Sequence, residues 1–107
     1  MPTVRNMRGS DLMVTDAEES RFFGVQSKAL SKYHAVPLGK SLEALCSAWW
    51  VVTVNANEDQ PVCYVLTRQE VQQMATRDAN GGAYWLSVVS YKQAKFHEAW
   101  LRISESL

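Results

Sequence analysis

An excess of charge of either sign, cysteine and long apolar runs are all scarce in this chain. Across its 107 residues, Lys plus Arg and Asp plus Glu both number 11, so the formal net charge is zero. That balance removes any whole-chain electrostatic case for a nucleic-acid partner. No apolar run approaches the ~18 residues that a membrane helix needs, so no membrane partner is expected. Residues 1–20 are polar and lack the apolar stretch of a secretory signal, which makes the cytoplasm the expected compartment. Only two cysteines occur, Cys46 and Cys63, both inside apolar runs. They are expected as buried free thiols rather than as a disulfide. No His/Cys spacing suits zinc and no Gly-rich phosphate loop is present. Without repeats, low-complexity stretches or linkers, residues 1–107 are expected to form one domain.

What is present is an ordinary globular composition, 47% hydrophobic and 21% charged, which supports a packed core. Charge is distributed unevenly. Residues 1–40 hold six basic groups (Arg5, Arg8, Arg21, Lys28, Lys32 and Lys40) against Asp11, Asp16, Glu18 and Glu19. This modest basic bias sits at the start of the chain.

Periodicity then assigns the elements. Asp11–Thr15 alternates as a strand, residues 16–20 are polar and turn-forming, and Arg21–Leu30 reads as a second strand, giving a β-hairpin. Residues 31–41 carry Pro37 and Gly39 and read as loop, with a short helix near 41–47. Trp49–Val54 and Val62–Leu66 are almost unbroken apolar runs, the pattern of central strands covered on both faces. Thr67 to Glu70 fits a capping box and opens a helix over 68–78. Tyr84–Val89 reads as another strand. Ser90 to Gln93 fits a second box, opening a helix over 91–105 whose buried stripe is Phe96, Trp100, Ile103 and Leu107. Glu98 and Arg102 sit four apart and are expected to pair. The expected fold is a single α/β (α+β) domain, with a mixed central sheet of about five strands beginning with the hairpin.

Chemistry concentrates at that hairpin. With the turn at residues 16–20, Asp11 falls opposite residues 25 to 27, and one register pairs it with Gln26. Gln26 and Lys28 are two apart and share a face of their strand. A carboxylate, an amide oxygen and an ammonium would then meet at one end of the hairpin, where a hydrated Mg²⁺ is accommodated by few protein oxygens. The plain alternative is that Lys28 is a solvated charge at a strand end. His34, in a loop beside Lys32 and Tyr33, is expected on the surface, and His97 is expected to pack or face solvent. The four tryptophans, Trp49, Trp50, Trp85 and Trp100, are expected to pack in the core rather than to stack on bases; Tyr33 is the better stacking candidate.

Gly9-Ser10-Asp11, followed by Val25-Gln26-Ser27-Lys28, resembles the PD-(D/E)xK nuclease superfamily, the restriction-endonuclease-like fold. That family has a small residue and Asp opening one strand, then a hydrophobic residue, Glu or Gln, any residue and Lys on the next. The resemblance covers residues 5–66, and the remainder by element order. It implies Asp11 as metal ligand, Gln26 as a further ligand, and Lys28 as the group that orients the attacking water. The implied reaction is Mg²⁺-assisted hydrolysis of DNA phosphodiesters. Arg5, Arg8, Lys32, Tyr33, His34 and Lys40 are the implied nucleic-acid contacts. Gln26 stands where a carboxylate is usual, and Glu43 is the candidate for a displaced acid. About ten residues precede Asp11, fewer than the family's first helix and a strand require, so a homo-oligomer completing the helical layer is expected. The alternative is a non-catalytic, oligomeric binding or assembly module with a degenerate nuclease fold.

Overall fold

A computed structural model of the chain describes residues 12–15, 22–43 and 45–106, without the side chains of residues 12–15, 22, 23 and 106. Its centre is built from the two unbroken apolar runs. Trp49–Val54 (β4) and Val62–Thr67 (β5) pair antiparallel, Trp49 facing Thr67 and Val54 facing Val62. Phe22–Ala29 (β2) lies parallel to β4 on its other side, and Leu12–Thr15 (β1) pairs antiparallel with β2. The sheet order is β1-β2-β4-β5. Five of the six β4 residues are buried, as a strand covered on both faces requires.

The single sheet of about five strands is corrected to two sheets. Val36–Gly39 (β3), Thr76–Arg77 (β6) and Tyr84–Leu86 (β7) form a separate antiparallel sheet of order β3-β7-β6. Residues 36–39 were expected as loop because of Pro37 and Gly39. The stronger signal is the two-residue alternation: Val36 and Leu38 are buried, while Pro37 and Gly39 are exposed. Proline is tolerated there because β3 is an edge strand.

The helices are shorter than periodicity predicts. In place of the expected helix near 41–47, Leu42 and Glu43 bend the chain, Leu45 N–H donates to the Leu42 carbonyl, and residues 45–47 are neither helix nor strand. Arg68–Met74 (α1) begins with the expected capping box: Thr67 Oγ1 accepts from Glu70 N–H, and Glu70 Oε1 accepts from Thr67 N–H. It stops before residue 78 because Ala75 turns extended and Thr76 and Arg77 pair with β7. The strand expected over Tyr84–Val89 ends at Leu86. Ser87 then caps Val88–Tyr91 (α2) by accepting from Ser90 N–H, so Ser90 is inside a helix and not its cap.

The expected helix over 91–105 is broken in the middle, and only Leu101–Ser106 (α3) follows α2. The reason is the open edge of β5. Val65 N–H donates to the Phe96 carbonyl, Glu98 N–H donates to the Cys63 carbonyl, and Tyr64 bridges His97. The chain satisfies these edge groups by running beside β5, which a helix cannot do. Glu98 takes a φ of 48° at the break. The stripe accordingly fails in part: Phe96 and Ile103 are buried, whereas Trp100 is 44% exposed, and Leu107 lies outside the described residues.

Two apolar clusters cover the faces of the four-stranded sheet. One joins Trp50, Val52, Val54, Tyr64 and Leu66 to Val36, Leu38, Leu86, Tyr91 and Phe96. The other joins Val25, Trp49, Val51 and Val65 to Ile103. Cys46 and Cys63 are free thiols as expected, but Cys46 is exposed and Cys63 half-buried, which corrects their placement in the core. Among the described residues no helix is long and apolar enough to cross a membrane.

Candidate functional site

Alternation along β2 sends Val25 into the smaller cluster and turns Gln26 and Lys28 to the opposite face, where both are half-buried. In the β1–β2 ladder Leu12 faces Val25 and Met13 faces Gly24, which is one of the registers the sequence allows. Asp11, Arg5 and Arg8 lie outside the described residues. Gln26 pairs with Trp50 and Lys28 with Val52 across the parallel ladder. Lys28 Nζ lies 5.9 Å from the centroid of the Trp50 ring, a cation–π contact. Trp50 is 4% exposed, and its Nε1–H has no hydrogen-bond partner among the described residues.

This donor set bears on the metal that the family resemblance implies. Lys28 and the orphaned Trp50 indole are donors, and the carboxamide of Gln26 is the one oxygen ligand the three supply. Among the described residues no group of three His, Cys, Asp or Glu is placed to hold a metal ion. Gln26, Lys28 and Trp50 by themselves fit an anion's oxygens better than a divalent cation, which favours carboxylate ligands.

The residues expected to contact nucleic acid divide by position. Lys32 and His34 are exposed in the bend after β2, and Lys40 is exposed after β3. Glu43, the candidate displaced acid, is exposed in the turn after β3. Tyr33 is half-buried rather than an open stacking platform. Its hydroxyl shares a 2.9 Å hydrogen bond with that of Tyr64, and Lys92 Nζ sits 4.4 Å from its ring centroid.

Sequence reasoning missed the partners of that loop. Tyr91 donates its hydroxyl proton to the His34 carbonyl at 2.8 Å, tying residue 34 to α2. Tyr64 packs edge-on against Tyr33, Tyr91 and His97 at 5.6 to 6.4 Å between ring centroids. Burial, then the bond to Tyr33, pushes the Tyr64 hydroxyl up to about 12, so it stays neutral at ordinary pH. Burial also raises Tyr91, against the lowering effect of its bond to His34. The interleaving of Tyr91, Lys92, Lys95, Phe96 and His97 was a visible signal, but a helical reading spread these residues around a cylinder.

At the Trp49–Thr67 end of the sheet is a cavity of about 400 Å³ lined by Ala48, Thr67, Arg68, Gln69 and Gln72. Gln72 Nε2 donates to the Leu42 carbonyl there, fastening the 42–45 turn to α1. No protein-family model matches this chain, and no curated protein matches it significantly.

Proposed function

We propose that this protein acts on DNA phosphodiesters at Asp11, Gln26 and Lys28, as a small nuclease-like protein of the restriction-endonuclease-like type. The observation carrying this reading is that Gln26 and Lys28 share one half-buried face of β2, beside the β1 strand that follows Asp11. Lys28 supplies positive charge to a phosphoryl oxygen, and Gln26 supplies a carboxamide beside it. Mg²⁺ enters this reading through Asp11, and the described residues alone do not hold it. The test is Mg²⁺- or Mn²⁺-dependent nicking of plasmid DNA. Loss of nicking in both Asp11→Ala and Lys28→Ala is expected; equal activity in those variants and the parent overturns the site.

A second reading, a non-catalytic DNA-binding or assembly module, is favoured by the donor character of Lys28 and Trp50. The exposed apolar side chains of Val89, Trp100 and Leu101 support its oligomeric form. Under this reading DNA is retained but never cut, and light scattering gives an assembly larger than a monomer. A clean monomer counts against the oligomer.

A further inference from the structure

The loop at residues 32–34 and the segment at residues 92–97 come together far from each other in sequence, and their cations lie on the surface. Lys32, His34, Lys92, Lys95 and His97 are all exposed. Three of them lie against aromatic rings: Lys92 on the half-buried Tyr33, Lys95 4.9 Å from the centroid of the buried Phe96, and His97 edge-on to the buried Tyr64. The bond from Tyr91 to the His34 carbonyl fixes the two segments to each other. The adjacent carboxylate is Glu98, and both its oxygens are engaged, one by Cys63 N–H and the other by Trp100 Nε1–H. Exposed ammonium groups on both segments thus stand beside a carboxylate whose oxygens are already engaged, in a chain of zero net charge.

Sheet register relates this surface to Lys28. Lys28 faces Val52, Val52 faces Tyr64, and Tyr64 bridges His97, one row across the sheet. At ~4.8 Å per strand the row spans about 14 Å. Successive phosphates of one duplex strand advance ~3.4 Å along the axis, so the row covers about four of them.

We propose that Lys32, Lys92 and Lys95, on the two segments joined at Tyr33 and Tyr91 and flanked by His34 and His97, form a phosphate-backbone contact surface that leads a DNA duplex toward Lys28. The proposal rests on the DNA reading above. It adds the residues that supply most of the affinity, while Lys28 meets the phosphate at the site. Contacts of this kind are blind to sequence and weaken with salt.

The experiment is fluorescence anisotropy of a labelled 20-base-pair duplex with the full chain between 50 and 300 mM KCl. The variants are Lys32→Ala/Lys92→Ala/Lys95→Ala and, separately, Lys28→Ala, each checked for folding by circular dichroism. The triple variant is expected to bind at least tenfold more weakly at 100 mM KCl. Its slope of log affinity against log salt should be shallower by about 2 to 3, at ~0.9 per lost phosphate contact. Lys28→Ala should change that slope by no more than about 1. An unchanged slope in a folded triple variant overturns the surface, and if Lys28→Ala then abolishes binding, the Lys28 site survives alone. Weakened binding in the triple variant, with neither cleavage nor any effect of Lys28→Ala, upholds the surface and removes the catalytic reading. A parent chain that does not bind duplex overturns both. Polyglutamate competing as well as unlabelled duplex overturns the assignment to phosphate.

Discussion

Arg102 joins three parts of the molecule through one half-buried guanidinium. Nη2 donates to Glu70 Oε2 at 2.8 Å, Nη1 donates to the Val65 carbonyl at 3.0 Å, and the group stacks near Trp49 and Phe96. The pairing expected from spacing, Glu98 with Arg102, does not form, because the chain turns at Glu98 and directs its carboxylate to Cys63 and Trp100. Arg102→Ala is expected to lower stability by about 2 kcal/mol in urea unfolding, since bonds and ring contacts are lost together. Arg102→Lys should recover only part, because an ammonium cannot serve both acceptors in the same plane. Burial raises the Glu70 carboxyl, but the bonds from Arg102 and Thr67 outweigh it and hold the group below its ordinary value of 4.5. A depressed carboxyl stabilises the fold above pH 4.5 and loses that contribution as pH falls through its folded value. The thermal midpoint of the parent should therefore fall more steeply on acidification than that of Glu70→Gln. Tyr64 has the opposite sign. Its proton is held up to about 12 against 10.0 when free, so the stability it contributes disappears between pH 10 and 12. Tyr64→Phe should flatten that alkaline loss in the same melting series.

At the scale of elements, legibility followed whether the local signal was satisfied locally. The Thr67–Glu70 capping box closes within four residues, and both its hydrogen bonds form. Thr67→Ala should weaken the fold by about 1 kcal/mol, measured by urea denaturation. The Ser90–Gln93 pattern has the same residue types, yet Ser87 takes the cap and Gln93 instead donates its side chain to the Ser90 carbonyl. Similar letters gave a different element because the 96–98 segment had a better use as a partner for β5. The Gln26–Lys28 pair was legible for the same local reason as the first box, since residues two apart on a strand share a face whatever packs above them. What packs there was not legible: Trp50 lies beside Gln26 through a parallel register linking residues more than twenty apart.

At the scale of the whole molecule, β4 and the inner part of β5 are the best-covered backbone, with Val52, Val54, Val65 and Leu66 fully buried. Amide exchange should be slowest there, and slower than in α3, a six-residue helix with Ile103 as its buried residue. Leu66→Ala is expected to destabilise by about 2–5 kcal/mol, because the two-sided layering leaves little room for the site to collapse. Trp100 and Leu101 lie at the start of α3 with apolar surface exposed, although the Trp100 indole N–H is bonded to Glu98.

The amino-acid sequence by itself determined the central strands, the β1–β2 hairpin, the capping box and the common face of Gln26 and Lys28. Each of these follows from residues within one element or across a short turn, where periodicity and hydrogen-bond chemistry act locally. Only the tertiary structure decided that the strands divide into two sheets, that the last helix opens to cover the edge of β5, and that Lys92 lies over Tyr33. Those outcomes depend on which distant backbone groups and apolar faces are left unpaired once the central sheet has formed, and no local pattern encodes that.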